Sequence, residues 1–272
     1  MSVIAGLALA TGFSLAQRTA REAEQGSVPT PNWKNDPHFR KDVFTFARVR
    51  YSTEGGRYGR RGGWGRQRWA IDYPDSDLNF SYRLQQMTSL KVDPDCRVIE
   101  LTDKELFDFP FIYIVEPGGL VFTDDEVKVL RRYLLNGGFL MADDFWGEAE
   151  WANFEHEIKR VFPDRDLEEL PISHHIFHCV FDLKEKPQMA SIHHFQRNRG
   201  TAYENYERTD AREVHYKAIH DENGRMIVIA CHNTDLGDGW EREGEDEYFF
   251  HEFSEKKAYP LGINILFYAM TH

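Results

Sequence analysis

Between residues 43 and 161, short apolar runs of strand length alternate with segments of helical periodicity, and this alternation restricts the chain more than any other feature. CRVIEL (96–101), FPFIYIV (109–115) and FLMA (139–142) have the length expected of strands buried on both faces of a parallel sheet. VFTFARVRY (43–51) is rich in β-formers and supplies an earlier strand. The intervening segments read as helices. Phe80, Leu84 and Met87 recur at helical spacing over 78–90, with Ser76 or Asp77 placed to cap the start. Thr123-Asp124-Asp125-Glu126 is a capping box, in which hydroxyl and carboxylate satisfy orphan amides reciprocally. Val127, Leu130 and Leu134 then share a face, and Asn136-Gly137-Gly138 ends that helix. Trp151, Phe154, Ile158 and Val161 define another before Pro163. Strands alternating with helices predict an α/β fold, a mainly parallel sheet with helices on both faces and right-handed crossovers.

The second half is less regular. IFHCVFDL (176–183) reads as a strand, and 214–231 as an added β-hairpin turning at Asp221-Glu222-Asn223-Gly224. Pro260 opens a last helix, LGINILFYAM, apolar nearly all round and therefore buried. No internal repeat is visible, and no domain linker follows residue 42.

At 272 residues, 41% hydrophobic and 14% aromatic, the chain can bury a large core. Its net charge of −12 argues against a general nucleic-acid binder, which needs a basic surface. One segment runs the other way. EGGRYGRRGGWGRQRW (54–69) carries five arginines with Tyr58, Trp64 and Trp69 interleaved, and imitates a single-strand-binding stretch. In an acidic chain it reads first as an insertion between two elements. Cys96, Cys179 and Cys231 are too few and too scattered for a disulfide framework or a metal knuckle, so packing is their expected role.

Val3 to Ala16 is apolar, and Ser14 and Ala16 give the small-x-small pattern of a secretory cleavage site, although no Lys or Arg precedes the run. The expected organisation is a signal peptide over 1–16, a linker or surface strap over 17–42 and an α/β domain over 43–272, in a protein that is exported, periplasmic or associated with the cell envelope. No other stretch is long and apolar enough to span a bilayer.

YPDSDLNFSYRLQQMT (73–88), FPFIYIVEPGG (109–119), YLLNGGFLMADD (133–144), LPISHHIFHCVFDL (170–183) and YPLGINILFYAM (259–270) together resemble the bacterial family catalogued as domain of unknown function 4159. The resemblance covers about residues 42–272. It implies a class I glutamine-amidotransferase-like (flavodoxin-like) fold, usually in exported or membrane-linked proteins, with no established reaction. One local difference is His174-His175-Ile176, where the family pattern has a proline after the first histidine. Comparison with true amidotransferases follows from that resemblance. Their chemistry needs a thiolate on a strand-to-helix turn, a histidine base, a carboxylate and an oxyanion hole. Here Glu116-Pro117-Gly118-Gly119 looks like the loop that lends the oxyanion amide. The turn after FLMA carries Asp143 and Asp144 instead of cysteine. A carboxylate cannot form the thioester, so glutamine hydrolysis is not expected.

Ligands of open α/β sheets bind at the carboxyl ends of the strands. Asp143, Asp144 and Trp146 belong there on this reading, as do His232, Asn233 and Asp235 after the strand ending at Cys231. Carboxylates with an imidazole can hold a divalent metal or do acid–base work; equally, Asp143 or Asp144 can cap the next helix and His232 can bond locally. Gly118 and Gly119, Arg83 and Trp240 complete the candidate ligand-binding set; Trp240 can instead tuck a surface loop into place. His174 and His178 have zinc-like spacing only on a helix; in a strand they lie too far apart to chelate one ion. The expectation is therefore no obligatory cofactor, with a divalent metal open. Two readings follow: a non-amidotransferase domain binding a small polar ligand, a glycan or a cell-envelope protein, or a carboxylate- or metal-dependent hydrolase using Asp143 and Asp144.

Overall fold

The computed structural model of the chain describes residues 19–39, 42–53, 68–198, 201–204 and 210–272. The apolar run at 3–16 and nearly all of the glycine–arginine segment lie outside the described residues. Seven strands form the central sheet: β1 (Ala47–Val49), β2 (Arg97–Ile99), β3 (Phe111–Val115), β4 (Phe139–Phe145), β5 (Glu168–Glu169), β6 (His215–His220) and β7 (Met226–His232). Their spatial order is β2-β1-β3-β4-β7-β6-β5. The first five run parallel, and the last two pairings are antiparallel. The fold is thus α/β, built on a mixed, mostly parallel sheet. The segment read as one strand over 43–51 is split: Val43–Phe44 pairs in parallel with Lys91–Val92 in a separate two-stranded ladder.

The apolar runs form strands because both faces of the sheet are covered. Phe111, Tyr113 and Val115 of β3 and Phe139 and Met141 of β4 point into one core, which they share with α1 (Asp75–Met87), α5 (Leu236–Glu241) and α7 (Tyr259–Thr271). Ile112, Ile114, Leu140 and Ala142 point into the opposite core, with α2 (Asp124–Leu135) and α3 (Gly147–Val161). Burying residues of both parities removes the polar alternation that marks a half-exposed strand. The short helices α4 (Ile192–Arg197) and α6 (Glu247–Phe249) lie outside this framework of crossovers. Strands β6 and β7 pair antiparallel across a turn where Gly224 takes φ 80°; β7 also pairs with β4, so it belongs to the main sheet.

Helix α2 begins as its local chemistry dictates. Thr123 Oγ1 accepts the Glu126 amide at 3.2 Å, and Glu126 Oε2 accepts the Thr123 amide at 2.7 Å. Several expectations need correction. Helix α1 starts at Asp75, before the expected 78, and Asp77 does not cap it because its carboxylate is committed to Arg48; Met87 is largely exposed, whereas Phe80 and Leu84 are core. Residues 176–183 are not a strand: a 3-10 turn spans His175–Phe177, and Asn264 Oδ1 takes the Val180 and Phe181 amides that a sheet would have used. Residues 236–240 are helical, so Trp240 stands on a helix and not in a surface loop. The final helix is longer than the apolar stretch suggested, because a π-helical segment, Phe250–Ala258, runs directly into it. Among the described residues, no helix is long and apolar enough to cross a membrane.

Candidate functional site

Strand β4 continues past its apolar stretch and delivers two aspartates to the carboxyl end of the sheet. Asp143 follows Met141 onto the α1/α5 side. Its Oδ2 accepts the Tyr113 hydroxyl at 3.2 Å and the Leu236 and Gly237 amides at 2.9 and 3.0 Å. Its Oδ1 has no hydrogen-bond partner among the described residues. Burial raises the carboxyl to about 7 against these bonds, which favour the anion. Asp144 takes φ 57°, a left-handed backbone that a non-glycine residue rarely adopts. Its Oδ1 accepts the Trp146 indole N–H at 2.8 Å. Neither aspartate caps α3. That helix opens on Gly147 at φ 72°, with Trp146 in the cap position and no side-chain cap.

Two further aspartates converge here. Asp235 follows β7 and caps α5, its Oδ1 accepting the Asp238 amide at 2.8 Å. Asp72 lies in the loop before α1 at φ 60°. Arg48 holds this loop, donating from Nη1 to the Trp69 and Ile71 carbonyls at 3.0 and 2.8 Å. One oxygen each from Asp72, Asp144 and Asp235 lies within 4.8 Å of the others. All three are buried, and Asp72 Oδ2 has no hydrogen-bond partner among the described residues. Burial first, and the neighbouring carboxylates second, push all three well above the usual carboxylate range. Arg68 is bracketed by Glu150 at 3.1 Å and Glu116 at 3.7 Å.

The other candidates fall in different places. Gly118 and Gly119 lie in the 3-10 turn Pro117–Gly119 after β3, with Gly118 packed so closely on Glu150 that a Cβ would fall 2.5 Å from it. Glu150 Oε2 also takes the Trp146 amide at 2.9 Å. Trp240 is wholly enclosed, its ring 4.4 Å from Phe80 and 5.9 Å from Tyr113 between centroids, and is a core element with no face open to a ligand. Arg83 pairs with Glu243 through Nε at 2.7 Å and Nη2 at 2.8 Å, lining a cavity of about 360 Å³ that shares no residue with the carboxylates.

His232 is brought near the strand ends but not into the cluster. Its Nε2 contacts the Gly147 carbonyl at 3.1 Å, its ring packs on Phe145 and Trp151, and its Nδ1 has no partner among the described residues. Burial lowers its pKa to about 4. His174 Nδ1 accepts the Ile176 amide. Both nitrogens of His178 are engaged, at 2.6 Å with Asp182 and 2.7 Å with the Ile172 carbonyl, which leaves none for an ion shared with His174. The Cys96 and Cys231 thiols are fully buried, with pKa values raised by burial; Cys179 contacts the Asn264 carbonyl at 3.2 Å.

Asp72 is the residue sequence reasoning missed. It stands five positions before Asp77 in an acid-rich run that reads as helix-start chemistry, and nothing local distinguishes it; only the tertiary fold brings it beside Asp144 and Asp235. A family model described as domain of unknown function (DUF4159) matches residues 45–270. No curated protein matches the chain.

Proposed function

The chain belongs to the DUF4159 family, and we propose that it is a ligand-binding domain of the amidotransferase-like type whose strand-end site works without a thiol. The convergence of Asp72, Asp143, Asp144 and Asp235 at the carboxyl ends of β4 and β7 carries this reading. That edge is where open parallel sheets bind ligands. Counting only the parallel strands, the order 2-1-3-4-5 supports the flavodoxin-like assignment. The left-handed Asp144 at the strand-to-helix turn is what an amidotransferase-like elbow with a substituted nucleophile would present.

A carboxylate there has no route to a thioester, and Glu150 occupies the Trp146 amide beside the turn. Carboxylates accept hydrogen bonds or bind cations, so the site favours a donor-rich partner: a small polyhydroxylated molecule such as a glycan unit, or a cation. The second reading is a hydrolase using Asp143 and Asp144. It draws on Asp143 Oδ1, buried and without a partner among the described residues. His232 does not support it, since its contacts are with Gly147, Phe145 and Trp151.

The test is calorimetric titration of the chelator-treated chain with neutral mono- and disaccharides, alongside an assay for ammonia release from glutamine. Saturable sugar binding weakened in Asp143→Asn, with no ammonia released, is the expected result. Ammonia release abolished by Cys231→Ser would overturn the thiol-free reading, and absence of any sugar binding would remove the glycan class.

A further inference from the structure

We propose that Asp72, Asp144 and Asp235 bind one hard divalent cation at the carboxyl end of the sheet. The inference deepens the strand-end ligand reading above and rests on it for the location of the site. Three carboxylate oxygens within 4.8 Å of one another fit a shared ion, because two ligands on one ion can stand no further apart than twice the bond length. At roughly 2.3–2.6 Å per bond, Ca²⁺ admits separations up to about 5 Å, whereas Mg²⁺ at about 2.1 Å requires the donors to draw slightly closer. An all-oxygen donor set selects hard cations over zinc or copper.

A group of acids alone would not justify the assignment. The independent observation is Asp72: it is 8% exposed, and its Oδ2 has no hydrogen-bond partner among the described residues. A buried carboxylate oxygen without a donor is costly unless an ion supplies the missing interaction. Its aim is fixed by Gly237. A Cβ on that glycine would lie 2.8 Å from Asp72 Oδ2 and 3.7 Å from Asp235 Oδ1, so both oxygens border the same small space. The remaining donors are already oriented: the Trp146 indole holds Asp144 Oδ1, and the Asp238 amide holds Asp235 Oδ1. Outer-shell bonds of this kind fix metal ligands in place. No Lys or Arg makes an ion pair with these three carboxylates among the described residues.

A rival grouping shares Asp72 with Asp238 and Glu241. It is less available, because Glu241 is paired with Arg242 at 2.6 Å and Asp238 Oδ2 takes the Ile192 amide at 2.6 Å. The rival therefore serves as the internal control.

The experiment is direct titration of the chelator-treated full chain with Ca²⁺, Mg²⁺ and Mn²⁺, repeated on Asp72→Asn, Asp144→Asn and Glu241→Gln. One ion per chain is expected, with affinity falling in the two aspartate variants by at least the roughly 10–100-fold that loss of an outer-shell partner costs, and unchanged in Glu241→Gln. A parallel measurement on the unaltered chain uses Tb³⁺ in place of Ca²⁺. Its emission should be sensitised through Trp146, which touches Asp144, and quenched by competing Ca²⁺, so misfolding of a variant does not decide the outcome. Failure of all three divalent ions to bind, with no sensitised Tb³⁺ signal, overturns the proposal, as does binding that survives Asp144→Asn but not Glu241→Gln. Sugar titrations are run without metal, so the cation can fail while the polar-ligand reading stands, and the reverse.

Discussion

Arg48, at the centre of β1, and Asp77, in the first turn of α1, form an ion pair from which water is excluded, with Nη2–Oδ1 at 2.5 Å and Nε–Oδ2 at 3.0 Å. The same guanidinium reaches the Ser76 hydroxyl and, through Nη1, the Trp69 and Ile71 carbonyls, so it ties the start of α1 and the loop that carries Asp72 to β1. A buried pair of this kind adds little over an apolar replacement, but removing one partner strands the other charge. Asp77→Ala should therefore destabilise the chain by about 3–5 kcal/mol, measured as a shift in the urea midpoint. A loss under about 1 kcal/mol, the value for an exposed pair, would show that the pair is not sealed.

Gly237→Ala tests the close approach over Asp143. The added methyl meets Asp72 Oδ2 and the Tyr113 hydroxyl, both at 2.8 Å. Helix propensity alone would favour alanine by about 1 kcal/mol, whereas overpacking costs about 1–3 kcal/mol. The expected sign is net destabilisation. An alanine variant as stable as the parent, by thermal melting, would mean that Asp72 moves aside freely.

His232 makes stability depend on acidity. Burial, opposed by the Gly147 carbonyl and Asp210 and aided by His215 and Lys217, holds its folded pKa at about 4, below the ordinary 6.5. The unfolded chain binds a proton that the folded chain refuses. Stability from this residue is complete above about pH 6.5 and is lost as pH falls toward 4, by at most about 3 kcal/mol. His232→Phe should flatten that slope in denaturation series run between pH 7 and 4.5. Identical slopes for both proteins would locate the acid sensitivity elsewhere.

The Thr123 cap is a local test with no link to the site. Its hydroxyl accepts the Glu126 amide on the protein surface, so Thr123→Ala should cost about 1 kcal/mol and leave ligand or ion binding untouched. A change in binding would reveal coupling between the start of α2 and the strand ends.

Legibility in the sequence tracks how local the determining physics is. The capping box and the apolar runs of β3 and β4 are set by near neighbours, and they appear where the residue pattern puts them. The strand β4 runs beyond its apolar residues because Asp143 and Asp144, which look like loop residues, find partners there; Tyr113 and the amides of Leu236 and Gly237 let Asp143 remain in the strand. The 176–183 segment has a strand's composition, but Asn264, far along the chain, satisfies its amides first. Asp143, Asp144 and Asp235 could be named from their place after strands. Asp72 could not, since its position depends on Arg48 reaching across from β1.

The three carboxylates drawn together at the strand ends come from early, middle and late stretches of the polypeptide. No fragment ending within β7 owns the complete set, so whatever they hold is gripped only after the last crossover has docked. Such a grip opposes unravelling of the whole molecule, and amide exchange would slow in β1, β3, β4 and β7 together, with little effect on the fraying of any one of them.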